Sequence, residues 1–262
     1  MGDLILYSKQ DGIAIMELNN PPANCYTYDL MRELDEAILD ARMDDDIYVI
    51  IVRGAGNKFF CAGADIRMLS EVSPSFKYYF CLHANETLNR LENTPKLVIA
   101  AIEGHCVGGG LEVALACDIR IAKKNPNARI GLPEVNLGVL PGTGGTQRLS
   151  RLIGKGRAME MMVTGRLLTL EEALEIGLIH HIFEGDNFMD QVLDYARQFL
   201  PPNKAAYAVG RIKRAVQVAH ETLFTGGLMV ERELQQQLFL SEDAREGLTA
   251  YLEKRQAQFT GK

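Results

Sequence analysis

The sequence contains no tryptophan and no long apolar run. No segment approaches the roughly 18 consecutive apolar residues that a transmembrane helix requires, and Met1-Gly2-Asp3-Leu4 shows no signal-peptide pattern. Basic residues are in the minority, because the formal net charge is −6, whereas nucleic-acid-binding proteins usually carry a basic face. We therefore expect a cytoplasmic protein whose partners include neither a membrane nor a nucleic acid.

Cysteines are few and widely spaced. The chain has five of them: Cys25, Cys61, Cys81, Cys106 and Cys117. They form no close-spaced pair of the kind that binds zinc, and an odd number cannot all be joined in disulfides. We expect reduced thiols and no metal site.

The common motifs of nucleotide-binding enzymes and hydrolases are also missing. The sequence has no GxGxxG after its first strand, no GxxxxGK[ST], no GxSxG and no HExxH. A nicotinamide-dependent oxidoreductase is therefore disfavoured, because its phosphate-binding fingerprint is absent.

The apolar patterning predicts an α/β fold with a largely parallel sheet. Strand patterns occupy 13–18, 48–52, 97–102 and 119–122, and helical patterns occupy 30–41, 76–91 and 109–116. From about residue 186 onward only helical patterns follow, at 188–199, 205–218, 224–240 and 243–258. We therefore divide the chain into an α/β core over 1–185 and a helical subdomain over 186–262.

Two glycine-rich segments can present free backbone N–H groups. FFCAGADI, residues 59–66, follows a strand, and GHCVGGGLE, residues 104–112, leads from a strand into a helix. Small residues let a ligand approach the backbone, and a helix N-terminus exposes unpaired N–H donors. Two such donors could form an oxyanion hole for a polarised carbonyl, although a single glycine-rich turn more often serves tight packing.

Two glutamates stand among apolar neighbours. Glu112 follows the second glycine-rich segment, and Glu134 follows Pro133. Apolar surroundings raise the pKa of a carboxyl group, which suits it to proton transfer near neutral pH. Taken alone, a glutamate after proline is more often an exposed helix-start residue. Beside an oxyanion hole, the two carboxylates would suit acid–base chemistry next to a thioester, and we expect both to face one cavity.

Together these segments resemble the enoyl-CoA hydratase/isomerase (crotonase) superfamily, and within it enoyl-CoA hydratase most. The resemblance extends along nearly the whole chain, through 60–65, 99–104, 108–112, 117–118, 131–134, 140–149, 171–178, 241–247 and 253–255. It implies a crotonase-type ββα spiral core, followed by C-terminal helices that take part in trimerisation and close the CoA site.

The resemblance also implies residue roles. The N–H groups of Ala64 and Gly109 form the oxyanion hole, Glu112 activates water, and Glu134 protonates C2. The implied reaction converts a 2-trans-enoyl-CoA into a 3-hydroxyacyl-CoA in fatty acid metabolism, with no metal or redox cofactor. Further substrate contacts are implied at Ala62, Gly63, Asp65, Ile66, Arg67, Gly110, Pro133, Gly142 and Lys254.

The sequence departs from the family pattern at 19–27, where the usual basic residue is missing. Two cations are the candidates to hold the CoA phosphates: Arg67, and Lys254, which we place in the terminal helix. For each of them, a role as a solvated surface cation is an equal alternative. We assign no catalytic role to the histidines or cysteines. His105, His180 and His181 lack catalytic partners in the sequence, and Cys61 and Cys106 suit packing.

Several alternatives stay open. Superfamily isomerases commonly keep one of the two glutamates, so the pair favours a hydratase over a Δ3-Δ2 enoyl-CoA isomerase. A hydratase for a branched substrate such as methylglutaconyl-CoA would carry a similar pair. A scaffold or RNA-binding relative is disfavoured by the acidic balance. The resemblance implies a homotrimer or a homohexamer, and the sequence leaves acyl length and pathway undetermined.

Overall fold

In the computed structural model, which describes residues 2–261, two sheets form the centre of the molecule. The strands are β1 (Ile5–Gln10), β2 (Ile13–Leu18), β3 (Val49–Gly54), β4 (Phe59–Cys61), β5 (Leu97–Ile102), β6 (His105–Val107), β7 (Ile119–Lys123), β8 (Ile130–Gly131) and β9 (His181–Phe183). The helices are α1 (Tyr28–Met43), α2 (Ile66–Glu71), α3 (Pro74–Glu92), α4 (Gly109–Leu115), α5 (Gly145–Ile153), α6 (Lys155–Thr164), α7 (Leu170–Glu175), α8 (Phe188–Arg197), α9 (Ala206–Val218), α10 (Phe224–Phe239) and α11 (Glu242–Glu253). A 3₁₀ helix spans Glu134–Leu137.

From β3 to β9, successive strands alternate between the two sheets. The larger sheet has the order β1-β2-β3-β5-β7-β9, and the smaller has the order β4-β6-β8. Among the strands named above for residues 2–261, β1 pairs antiparallel with β2, and the other strand pairings are parallel. From β3 onward, two strands followed by one or more helices therefore make each turn of a spiral. The predicted α/β class with a largely parallel sheet is confirmed.

The central strands are apolar because both of their faces are covered. Every residue of β5 is buried, as expected for a parallel strand between two layers. Alternate side chains of this strand enter two different apolar clusters. One cluster includes α1 and α3, and the other includes Phe188, Val192 and Ala196 of α8.

The last helix ends earlier than the apolar pattern predicts. α11 stops at Glu253, and Lys254 adopts a left-handed φ of 55°, so our placement of Lys254 inside the terminal helix is wrong. The chain then turns back, because Arg255 binds the carboxylate of Glu246. The N–H groups of Thr260 and Gly261 donate to Asp243.

The helices after residue 186 differ in how far they are buried. α8 packs on the larger sheet, whereas α10 has no buried residue. Large apolar side chains are exposed on α10, on α11 and near the ends of α10: Leu223, Phe224, Leu240, Tyr251 and Leu252. The domain boundary at residue 185 stays a prediction. Across residues 2–261, no helix is both long and apolar enough to span a bilayer.

Candidate active site

One cavity, about 340 Å³ in volume, is lined by both glycine-rich segments and by both glutamates. Its walls come from the loop after β4, from the first turn of α4, from α3 and from the 3₁₀ helix. Apolar side chains make up much of the remaining lining: Leu69, Phe80, Val107, Leu137, Val139 and Leu140. A small polar centre in an apolar pocket is typical of a small-molecule site.

The smaller sheet brings the two glycine-rich segments together. Cys61 at the end of β4 pairs with Cys106 of the parallel strand β6, so both following loops leave the same edge. Gly63 has a φ of +95°, and a Cβ atom there would lie 2.9 Å from the Gly109 nitrogen. A Cβ atom on Gly110 would collide with the Cys61 carbonyl oxygen. Glycine is therefore required at both positions for the loops to touch.

Two backbone N–H groups in this cavity have no protein acceptor. The amides of Ala64 and Gly109 donate to no atom of residues 2–261, and both residues line the cavity. Gly109 is the first residue of α4, where the helix cannot supply an acceptor and where its dipole is positive. The two donors are free to bind a carbonyl oxygen that gains negative charge.

Glu112 is buried, with 2% of its surface exposed, and is held by three donors. Its Oε1 accepts the N–H groups of Thr143 (2.8 Å) and Gly145 (2.7 Å), and its Oε2 accepts the Thr143 hydroxyl. Burial raises the pKa of the Glu112 carboxyl, while these hydrogen bonds oppose the rise because they favour the ionised form. The three donors therefore fix the position of this carboxylate and limit the rise of its pKa.

Glu134 has a different environment at the start of the 3₁₀ helix. Its Oε2 is buried and finds no hydrogen-bond partner within residues 2–261. The pKa of Glu134 is raised to about 7, mainly by burial and to a smaller extent by the negative charge of Glu112. The carboxyl group is thus able to hold a proton near neutral pH and to release it to a nearby atom.

The two carboxyl groups are suited to opposite roles. Glu112 accepts hydrogen bonds at both oxygens, as an ionised group does, whereas Oε2 of Glu134 has no hydrogen-bond partner within residues 2–261. Pairs of titratable groups whose environments differ in this way divide into a base and an acid. The cavity can therefore support proton removal and proton delivery beside a bound carbonyl.

The family model for enoyl-CoA hydratase/isomerase matches residues 8–262. The chain belongs to this family. The crystal structure of an enoyl-CoA hydratase from Geobacillus kaustophilus HTA426 superimposes with a TM-score of 0.96 and 47% identity, covering 100% of this chain and 98% of that one. The predicted family and its crotonase-type fold are confirmed.

Two curated relatives in the family have named substrates. The short-chain-enoyl-CoA hydratase of Clostridium acetobutylicum is 37% identical over 255 residues, covering 97% of this chain and 96% of the relative. The mitochondrial methylglutaconyl-CoA hydratase of Mus musculus is 36% identical over 261 residues, covering 98% of this chain and 82% of the relative.

The other predicted substrate contacts fall into two groups. Ala62, Gly63, Ile66, Pro133 and Gly142 line the cavity. The remaining four lie outside its lining: Asp65, Arg67, Gly110 and Lys254.

Each of these four has a different setting in the fold. Asp65 caps α2 by accepting the Met68 N–H, and Gly110 is buried at the contact between the loops. Arg67 and Lys254 are exposed. Their contacts with substrate stay predictions.

The histidines and cysteines have structural settings. His180 accepts the Arg120 N–H through Nδ1, and burial lowers its pKa to about 4. Burial raises the pKa of the Cys61 thiol to about 12, so a reactive thiolate does not form there. His105 packs against the Phe59 ring, with 5.0 Å between the ring centroids.

Two residues of the site were assigned no role in the sequence analysis. Thr143 supplies two of the three donors to Glu112, and Tyr26 lines the cavity and bonds to Thr143. Thr143 lies in the matched segment 140–149, which was the available signal. The partners of Tyr26 lie far away in the chain, so its direction could not be read from the sequence.

Replacing Glu134 by Gln is expected to stabilise the protein above neutral pH. The folded pKa of about 7 exceeds the ordinary value of 4.5, so ionisation in the folded state destabilises the protein as the pH rises through that window. Solvent screening of this half-buried group limits the gain to about 1 kcal/mol, or roughly 2–4 °C in melting temperature. Melting curves of both proteins between pH 5 and 8 should diverge as the pH rises, and a constant difference would contradict the raised pKa.

Proposed function

We propose that the chain is an enoyl-CoA hydratase, which adds water reversibly to 2-trans-enoyl-CoA and forms 3-hydroxyacyl-CoA. The observation that carries this proposal is the pair of unlike carboxyl groups beside two free backbone N–H donors in one apolar cavity. Relatives that are more than one third identical over nearly the whole chain are named as hydratases, which supports the same reaction.

In the proposed mechanism, the thioester oxygen binds the N–H groups of Ala64 and Gly109. Negative charge develops on this oxygen when water attacks C3, and the two donors stabilise it. Glu112 takes one proton from the attacking water, so the oxygen of the water bonds to C3. Glu134 gives its proton to C2, and the C2–C3 double bond becomes single. Dehydration reverses these steps, and no metal or redox cofactor takes part in the proposal.

The remaining CoA contacts are assigned by family resemblance. The Ala62 carbonyl would face the adenine, and Arg67 or Lys254 would approach the phosphates. Both cations are exposed, which leaves their side chains free to turn toward a bound coenzyme. We place both residues in binding rather than in chemistry.

A hydratase for a branched acyl group with a distal carboxylate is the second candidate. Among the cavity-lining residues in the described chain, Lys77 is the single cation. Its ammonium group makes no ion pair or hydrogen bond within residues 2–261, so it could bind such a carboxylate. The methylglutaconyl-CoA hydratase relative belongs to this substrate class.

A substrate panel tests both candidates. Purified protein should remove the conjugated-thioester absorbance of crotonyl-CoA, because hydration eliminates the double bond. The panel should also include longer 2-enoyl thioesters, a 3-enoyl thioester and methylglutaconyl-CoA. A higher kcat/KM for methylglutaconyl-CoA than for crotonyl-CoA would favour the second candidate. Conversion of the 3-enoyl thioester far faster than hydration of any 2-enoyl thioester would contradict both and identify an isomerase.

We also propose a cytoplasmic homotrimer or a dimer of trimers, with neither nucleic acid nor membrane as a partner. The exposed apolar side chains near α10 and α11, including Phe224 and Leu252, support contacts between copies, since such residues are unfavourable in water. The acidic net charge of −6 disfavours a nucleic-acid partner.

A further inference from the structure

Tyr26 lies where the two halves of the active site meet. It is 3% exposed, and its hydroxyl lies 3.0 Å from Thr143 Oγ1. A Cβ atom on Gly109 would collide with the same hydroxyl, so the phenol lies against the residue that carries one of the free N–H donors. A single buried side chain thus contacts Gly109 and also the residue that binds Glu112.

The hydrogen bonds that link Tyr26, Thr143 and Glu112 have a defined direction when Glu112 is ionised. A carboxylate can only accept, so Thr143 Oγ1 gives its single hydrogen to Glu112 Oε2. Tyr26 must then be the donor in its bond with Thr143. The Tyr26 hydroxyl has no second hydrogen-bond partner in the described part of the chain.

The same geometry disfavours a proton on Glu112 Oε2. Such a proton would have to be donated to Thr143 Oγ1, and the Thr143 hydroxyl would then have to donate to Tyr26. The hydrogen of Tyr26 would be left without an acceptor at a buried position, which is unfavourable. The hydrogen bonds that link Tyr26, Thr143 and Glu112 therefore favour an ionised Glu112 in one orientation.

We propose that Tyr26 is a positioning residue that acts through Thr143 to keep Glu112 ionised and directed at the attacking water. The inference rests on the proposed function, in which Glu112 accepts a proton from water.

The other titratable groups near Glu112 do not replace this contribution. Burial raises the pKa of Tyr26 well above its ordinary value, so the phenol stays a donor. Burial also keeps the Cys81 thiol protonated by raising its pKa. Arg148 favours the charge on Glu112 but is itself bound to Glu92. The charge of Glu134, when it is present, disfavours ionisation of Glu112.

Tyr26→Phe tests the proposal because it removes the hydroxyl and keeps the ring that packs 6.0 Å from Phe80. We expect kcat for crotonyl-CoA hydration to fall about 5- to 10-fold, as for the loss of one hydrogen bond, with KM changed less than twofold. The acidic limb of the pH–kcat profile should move to higher pH, because Glu112 then ionises less readily.

Substitutions at Thr143 show whether Tyr26 acts through this residue. Thr143→Val keeps the backbone donor but removes the hydroxyl, so it should shift the acidic limb further in the same direction. Adding Tyr26→Phe to Thr143→Val should then have little further effect, since the effects of substitutions within one hydrogen-bond network are not additive. Thr143→Ser restores the hydroxyl and should restore the wild-type limb.

Tyr28→Phe is a matched control, since this tyrosine is two residues away, lies outside the cavity lining and makes no side-chain hydrogen bond within residues 2–261. A Tyr26→Phe variant with the wild-type pH profile would overturn the proposal, and so would fully additive losses with Thr143→Val. A carbon-13 NMR titration of the Glu112 carboxyl, without substrate, should show a higher pKa in Tyr26→Phe. If the pKa of Glu112 shifts in this way but the wild-type protein hydrates no 2-enoyl-CoA, the proposed function is contradicted. The role of Tyr26 in the hydrogen bonds to Thr143 and Glu112 would still be supported.

Discussion

Glu112→Gln and Glu134→Gln are each expected to lower kcat for crotonyl-CoA hydration by about 10²–10⁴-fold. Hydration needs one group to take a proton from water and another to give a proton to C2, so neither carboxyl group is dispensable. The amide is nearly isosteric, and neither change touches the N–H groups of Ala64 and Gly109. Binding of a saturated thioester such as butyryl-CoA, measured by calorimetry, should therefore stay within a few-fold of wild type.

The same two variants distinguish a hydratase from an isomerase. Moving a double bond needs one proton removed and one returned, which a single carboxylate can do. Glu86→Gln is a suitable control, because Glu86 is an exposed residue of α3 and lies outside the cavity lining. Full hydration activity in Glu112→Gln would disprove the role assigned to that residue. Hydration lost in both variants, with 3-enoyl isomerisation lost in just one, would support the two-carboxylate mechanism.

Gly109→Ala is expected to lower kcat by about 10²–10³-fold, the typical effect of losing one oxyanion-hole donor. A Cβ atom at this position would overlap the buried side chain of Tyr26. Relief of the overlap must move the first turn of α4 or displace Tyr26. Either movement misplaces the N–H group of Gly109 relative to the thioester oxygen. Single-turnover kinetics would measure the loss in the chemical step.

Gly227→Ala provides the matched comparison for this substitution. Gly227 lies in α10 and has no neighbouring atom within 4 Å of an added Cβ, so activity should be unchanged and the helix slightly more stable. Circular dichroism of Gly109→Ala should still show a folded chain at 25 °C. A folded Gly109→Ala protein with wild-type kcat would contradict an oxyanion role for this amide.

Distinct apolar segments made several elements predictable. The sequence pattern placed strands at 13–18 and 97–102, where β2 and β5 are found, because each is a short apolar run bounded by polar or turn residues. α1 and α3 begin two residues before the predicted starts. Their N-caps, Thr27 and Ser73, each accept a backbone N–H.

Short strands were not predictable by the same means. β4, β6 and β8 have only two or three residues each, too few for an alternating pattern to be recognised. They form the smaller sheet that places Gly63 beside Gly109. The element that builds the site therefore left the weakest signal in the sequence.

The residue types of the active site were determined by the sequence alone. Glycines at 63 and 109, with glutamates at 112 and 134, indicated the family through their order and their neighbouring residues. Close backbone approach admits only small residues, and proton transfer needs carboxyl groups. What only the tertiary structure decided was how these groups differ. Burial, the three donors on Glu112 and the unpaired oxygen of Glu134 depend on segments far apart in the chain. Local sequence carries no record of such contacts. The physical difference behind the two roles that the resemblance implied, and the place of Tyr26 beside Glu112, therefore emerge only when the chain is folded.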